Sequence, residues 1–215
     1  MINVTKASGE KQPFYEEKLR QSIKRAGIPE MLHEQVVSHI KSKLYDNIPT
    51  SEIYRHVTEF LDKSPHPHSK AKYGLKQAIM DLGPTGFPFE DYISEILKAE
   101  GYETQVRQIL PGKCINHEID IVGAKNNIKS MVECKFHNAP GIKCHIHVSL
   151  YTKARFDDVK EENNFNDAWV VTNTKLTPEA LSYAQCSNMK IISWDFPNGK
   201  SLRDLPCGLS GFVTT

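Results

Sequence analysis

Asp120, Glu133 and Lys135 are the residues whose types and spacing best suit chemistry. They fall in two strand-like runs, Asn116-His117-Glu118-Ile119-Asp120-Ile121-Val122 and Met131-Val132-Glu133-Cys134-Lys135-Phe136. Alternate residues of a strand share a face, so Glu133 and Lys135 present a carboxylate beside an ammonium while Cys134 points into the other layer. Asp120 stands in an apolar strand, where a carboxylate is costly unless it meets a cation or the solvated end of a sheet. A hairpin joining the two runs makes a pair of oxygen ligands suited to a hard cation such as Mg2+ or Mn2+. That ion would polarise a phosphodiester and acidify a bound water, with Lys135 stabilising or orienting the attacking hydroxide. A plainer role fits the same residues, as strand-end charges paired with Lys135 or other bases.

Further candidates surround this core. Glu90 lies at the margin of an apolar helix face made by Phe89, Ile93, Ile96 and Leu97, within reach of a sheet edge. A first-turn glutamate favoured by the helix dipole is the alternative. Tyr151, Lys153 and Arg155 follow on a helix and suit either a phosphate contact or a solvated face. Cys134-x2-His137 and Cys144-x2-His147, with His145 between, have the spacing of zinc ligands. Cys134 would then be both a core-facing strand residue and a ligand. His117 suits either the active site or a strand cap.

The elements that hold these residues come in two styles. Helical periodicity marks Tyr15–Ala26, Glu30–Leu44, Thr50–Leu61 and His68–Leu82, with breaks at Gly27-Ile28-Pro29, Asp46-Asn47-Ile48-Pro49 and Ser64-Pro65-His66-Pro67. Thr50 and Ser51 suit the N-cap of the third helix. Ahead of them, Ile2–Lys6 and Gln12–Phe14 flank a Ser8-Gly9 turn and predict a hairpin. The run Gly83-Pro84-Thr85-Gly86-Phe87-Pro88 ends the helical pattern and divides the chain into domains at 1–83 and 84–215. Beyond it, a helix at Phe89–Ala99 precedes strands near Tyr102–Gln108, Glu118–Val122, Ile128–Phe136, Ala168–Val171 and Lys190–Ser193. Helices at Leu150–Glu161 and Pro178–Cys186 separate the later strands, which predicts an α/β domain with a central sheet flanked by helices.

Composition narrows the classes. The 215 residues are 39% hydrophobic and 25% charged, an ordinary globular balance. The net charge is +1, with 13 Lys/Arg against 10 Asp/Glu up to Gly83 and 14 against 16 beyond, so contact with DNA must be local. No run of 18 apolar residues exists and MINVTKASGEK lacks the apolar stretch of a signal peptide, which predicts a cytoplasmic protein with no membrane partner. Five scattered cysteines, Cys114, Cys134, Cys144, Cys186 and Cys207, suit free thiols.

Motifs add two resemblances. Gly86-Phe87-Pro88-Phe89-Glu90, the LKAEGY run at Leu97–Tyr102, Glu118-Ile119-Asp120, Glu133-Cys134-Lys135 and the strand-helix-strand pattern of Ala168–Ile192 resemble the Mrr-like restriction endonucleases of the PD-(D/E)xK kind. The resemblance implies a mixed β-sheet flanked by helices, Asp120 and Glu133 as metal ligands, Lys135 as catalytic lysine and Glu90 as a completing carboxylate. Ile119 stands where that family's proline would be, and many Mrr-type sequences have Gln at the place of Glu133. The N-terminal residues Val4-Thr5-Lys6, Gly9, Phe14, Glu17-Lys18-Leu19 and Tyr45–Ile53 resemble the ATP-cone, a regulatory nucleotide-binding module made of a β-hairpin over four helices. It implies ATP or a related adenine nucleotide such as dATP as ligand, with Val4, Lys6, Lys18 and Thr50 as contacts, and control through self-association. Ala7 replaces a common arginine, and Tyr54 a histidine. No Walker-type glycine-rich loop occurs, which points to a regulatory site. Together these features predict a metal-dependent DNA endonuclease controlled by nucleotide. The competing expectations are a nucleotide-responsive DNA-binding protein with an inactive nuclease-like half, and a zinc-binding structural protein.

Overall fold

The computed structural model describes residues 2–6, 9–64, 67–139 and 141–205. The chain divides into two compact units, residues 1–78 and 79–215. In the first, β1 (Asn3–Thr5) and β2 (Lys11–Pro13) form an antiparallel hairpin, with Val4 opposite Gln12. Ala7 and Ser8, part of the expected turn, lie outside the described residues, as do Pro65 and His66 of the third expected break and Cys207. Four helices follow: α1 (Glu16–Arg25), α2 (Glu30–Lys41), α3 (Thr50–Asp62) after the short strand β3 (Ile48–Pro49), and α4 (Pro67–Met80).

Residues four apart along each helix face one core. Leu19 and Ile23, then Leu32, Val36 and Ile40, then Val57 and Leu61 are all buried against one another. Each such side chain contributes roughly 1.5–3 kcal/mol relative to exposure. The expected caps need correction. Pro49, in extended conformation, precedes the helix, and Thr50 is its first residue with no side-chain cap bond. The cause is β3, which pairs in parallel with β1 through Val4↔Ile48 and Thr5↔Pro49 and thereby fixes the entry of the chain into α3.

In the second unit, α5 (Phe87–Ala99) leads into β4 (Glu103–Pro111), β5 (Asn116–Lys125) and β6 (Ile128–Lys135). Next come β7 (Lys143–Cys144), α6 (Ile146–Asn163), β8 (Asp167–Thr172), β9 (Lys175–Leu176), α7 (Pro178–Cys186) and β10 (Lys190–Ile192). The main sheet runs β10-β8-β6-β5-β4, parallel among β6, β8 and β10 and antiparallel among β4, β5 and β6. Asn126 and Asn127 close the β5–β6 hairpin with φ of 52° and 61°, the left-handed pair that a tight primed turn requires. Helix α5 packs on β4, β5 and β6, and α6 on β4, β6, β8 and α7. Phe89, Ile93, Ile96 and Leu97 of α5 are buried, as their spacing predicts. No helix is long and apolar enough to cross a membrane among the described residues.

Candidate active site

The β5–β6 ladder pairs Lys125 with Ile128 and ends at Ile121↔Val132. One step further, the same register sets Asp120 opposite Glu133, at the point where the strands part. Freed from the ladder, the Cys134 amide donates to Asp120 Oδ2 at 2.7 Å. The neighbouring β4–β5 ladder steps from Val106↔Ile121 to Gln108↔Ile119, so Arg107 faces Asp120 across it. Arg107 sits at φ 51°, a left-handed conformation uncommon for a non-glycine residue and one found at functional positions. Sheet register alone thus gathers an aspartate, a glutamate and an arginine at one edge.

Two helices complete the cluster. Glu90, in the first turn of α5, is buried and accepts from Arg107 Nη1 at 3.3 Å; the other Arg107 Nη is 2.8 Å from Asp91 Oδ1. From α6, Tyr151 donates its hydroxyl to Glu133 Oε1 at 2.9 Å and Arg155 donates to Glu133 Oε2. Arg155 also reaches the Glu118 carbonyl at 3.3 Å. Lys135 exerts a favourable charge effect on both Asp120 and Glu133. Among the described residues it has no ion-pair partner within 4.0 Å.

Burial dominates the electrostatics. It pushes the Glu133 carboxyl up to about 7, with repulsion from Asp120 as the next cause, and raises those of Asp120 and Glu90. Carboxylates that resist ionising together are relieved by a cation, and Mg2+ is commonly held by one or two carboxylates plus water. Asp120 and Glu133 meet that requirement. Among the described residues no three His, Cys, Asp or Glu side chains are placed to share one metal ion, and Glu90 is bonded to Arg107.

The zinc-like spacing does not gather. Cys144 is fully buried against Val148, Val170 and Leu176, and burial pushes its thiol up to about 11. Burial raises the Cys134 thiol as well, and both shifts disfavour the thiolate that zinc requires. His117 belongs to a structural clasp, its Nε2 2.8 Å from Asp158 Oδ2 on α6. Lys153 pairs with Asp157 one turn along its own helix. Arg107 escaped sequence reasoning because only the sheet register brings it to the site; the signal available for Tyr151 and Arg155 was their i, i+4 spacing.

In the first unit, Val4, Lys18 and Thr50 line a cavity of about 310 Å3 with Tyr15, Tyr54 and Tyr73. Tyr54 and Tyr73 stack with centroids 5.1 Å apart, and Lys18 Nζ lies 4.9 Å over the Tyr15 ring and 3.2 Å from Gln12 Oε1. Lys6 is not part of this lining and pairs with Glu10 at 2.9 Å. The volume sits at the small end of ligand sites, and the mixture of rings and one lysine suits a base with a phosphate.

The family profile of the ATP cone domain matches residues 2–75, and that of the restriction endonuclease family, Mrr catalytic domain, matches residues 84–202. An uncharacterized protein of Archaeoglobus fulgidus is 37% identical over 113 residues, which are 53% of this chain and 64% of that one. The crystal structure of the protein of unknown function AF1548 is similar with a TM-score of 0.54 and 34% identity, covering 56% of this chain and 65% of that one. The chain therefore spans just under two thirds of the length of either relative. The second profile covers more than half of the chain: the chain belongs to the Mrr-type restriction endonuclease family and carries an ATP cone domain ahead of its nuclease-type fold.

Proposed function

We propose that this protein is an endonuclease that hydrolyses phosphodiester bonds in DNA with Mg2+ or Mn2+ held by Asp120 and Glu133. The observation that carries the reading is the register of β5 and β6, which sets the two carboxylates opposite each other where the ladder ends, with Lys135 two residues beyond Glu133. A divalent ion bound there would polarise the scissile phosphate and acidify a water. The protein's own groups do the rest. The Cys134 amide orients Asp120 and the Tyr151 hydroxyl orients Glu133. Lys135, without an ion-pair partner among the described residues, is available to hold the attacking oxygen or a non-bridging phosphate oxygen. Glu90, tied to Arg107, adds negative charge behind Asp120.

The cone cavity supports a regulatory adenine nucleotide, ATP or dATP, with the stacked tyrosines beside the base and Lys18 toward phosphate. Nucleotide-dependent self-association in a cytoplasmic setting completes the reading. Purified protein incubated with supercoiled plasmid and Mg2+ or Mn2+, with and without ATP, tests it. Nicking or linearisation lost in Asp120→Ala and altered by ATP is expected; equal inactivity of both proteins under every condition overturns it. One observation favours the second reading, a DNA-binding protein that does not cut: Arg155 and Arg107 already pair with Glu133 and Glu90.

A further inference from the structure

Both oxygens of Glu133 are engaged by α6, Oε1 by the Tyr151 hydroxyl and Oε2 by the Arg155 guanidinium. These two donors differ in what they leave open. A tyrosine hydroxyl is neutral, and the oxygen that accepts from it keeps a second lone pair. A guanidinium carries a fixed positive charge that it cannot shed near neutral pH. Its charge-assisted bond to Oε2 and a divalent cation on the same oxygen repel one another at bonding distance. A divalent cation on Oε2 thus displaces Arg155, while Tyr151 can stay.

The surroundings of Arg155 allow that departure. Its side chain is 26% exposed, so it is not enclosed by the fold. Its centre lies 5.5 Å from the Tyr151 ring centroid, and an aromatic face offers a shallow attractive surface along which a cation can shift. It also donates to the Glu118 carbonyl, close to the end of β5 that carries Asp120. We propose that Arg155 is a built-in counter-ion that holds Glu133 until a divalent cation displaces it, and that the displaced guanidinium then binds a phosphate of the nucleic-acid substrate. The proposal rests on the nuclease reading of Asp120 and Glu133. The planar guanidinium fork matches a phosphate in two-pronged fashion, which a point charge does not. The exchange makes metal and substrate binding mutually reinforcing: without metal, Arg155 is spent on Glu133, and with metal it is released toward the phosphate.

The test uses the full chain as wild type, Arg155→Gln, Arg155→Lys and Asp120→Asn. Mn2+ affinity is read by titration after chelator stripping, duplex affinity by anisotropy in Ca2+, cleavage on plasmid in Mg2+, and folding by melting temperature. Arg155→Gln should bind Mn2+ about tenfold more tightly, the effect of removing a unit charge at about 6 Å from a dication in a water-like dielectric. It should bind duplex roughly tenfold more weakly and cleave poorly. Arg155→Lys should return Mn2+ affinity to the wild-type value and restore part of the duplex affinity. Unchanged or weaker Mn2+ binding in Arg155→Gln overturns the exchange and leaves Arg155 as a support for Glu133. Unchanged duplex affinity overturns the phosphate role. If wild type cleaves, Asp120→Asn is inert and Arg155→Gln binds Mn2+ as wild type does, the nuclease reading stands and the Arg155 proposal alone falls. If wild type and Asp120→Asn both fail to bind Mn2+, the two fall together. Should Arg155→Gln not fold, wild type decides the matter, because the exchange requires duplex to tighten Mn2+ binding and the absence of that coupling sinks it.

Discussion

Glu133 is a carboxylate placed where its charge is disfavoured, and this has a measurable sign. In the unfolded chain it ionises near its ordinary value of 4.5, whereas in the fold burial and then Asp120 hold its proton until about 7. The folded state therefore binds more protons than the unfolded state within that window, and this group's contribution lowers stability as pH rises through it. Protein kept in chelator should melt lower at pH 8 than at pH 5, and Mg2+ should recover more stability at pH 8. A flat melting profile in chelator, or an Mg2+ effect independent of pH, would count against the paired-carboxylate site. Asp120→Asn removes the repulsion yet keeps an oxygen for the Cys134 amide. It should abolish cleavage and raise the metal-free melting temperature at pH 8 by on the order of 2–4 °C, as about 1 kcal/mol does in a domain of this size. Asp120, Glu133 and Lys135 were legible because strand alternation and a hairpin are local in sequence. Arg107 was not, since its position depends on pairing between β4 and β5 and on a left-handed backbone that no spacing announces.

At the scale of elements, the site depends on how α6 is pinned to the β4–β5 connection. Asp158 accepts from the Cys114 amide at 2.9 Å and the Ile115 amide at 3.4 Å and pairs with His117, on the same helix that carries Tyr151 and Arg155. Hydrogen bonds from Cys114 and His117 hold its carboxyl down at about 2. A depressed carboxylate contributes stability that is present above its unfolded value of 3.8 and lost as pH falls through about 2. The difference in melting temperature between wild type and Asp158→Asn should be constant above pH 5 and close toward pH 2; a gap that persists in acid would show that the clasp acts through shape alone. Gly112 belongs to the same clasp, because a Cβ there would lie 2.2 Å from Asp158 Oδ2 and 2.6 Å from the Ile115 carbonyl oxygen. Gly112→Ala should destabilise by on the order of 1–3 kcal/mol, and thermal melting of the variant checks it. Helices and long strands were legible from apolar periodicity. The two-residue strands β3, β7 and β9 were not, since each exists only through a distant partner, and β3 is what moved the start of α3 away from the expected cap.

At the scale of the whole molecule, two units with separate cores carry two candidate sites, so their ligands should act independently on stability before any regulation is considered. A ligand that binds only the folded form stabilises by about 2.7 kcal/mol at a hundred times its dissociation constant. The cone residues inferred from resemblance divide on geometric grounds. Lys18 lines the cavity and approaches Gln12 and the Tyr15 ring, whereas Lys6 stands off the lining in a salt bridge with Glu10. A lysine that meets a phosphate contributes a charge-assisted bond of about 1.5–3 kcal/mol. Lys6, off the lining, has no phosphate to meet in that cavity. Lys18→Ala should therefore weaken ATP binding by roughly tenfold or more, while Lys6→Ala should stay within roughly twofold of wild type. Calorimetric titration with ATP compares them directly. Equal losses in both variants would mean that the hairpin closes over the nucleotide and frees Lys6 from Glu10. Loss in Lys6→Ala alone would move the nucleotide out of the tyrosine-lined cavity.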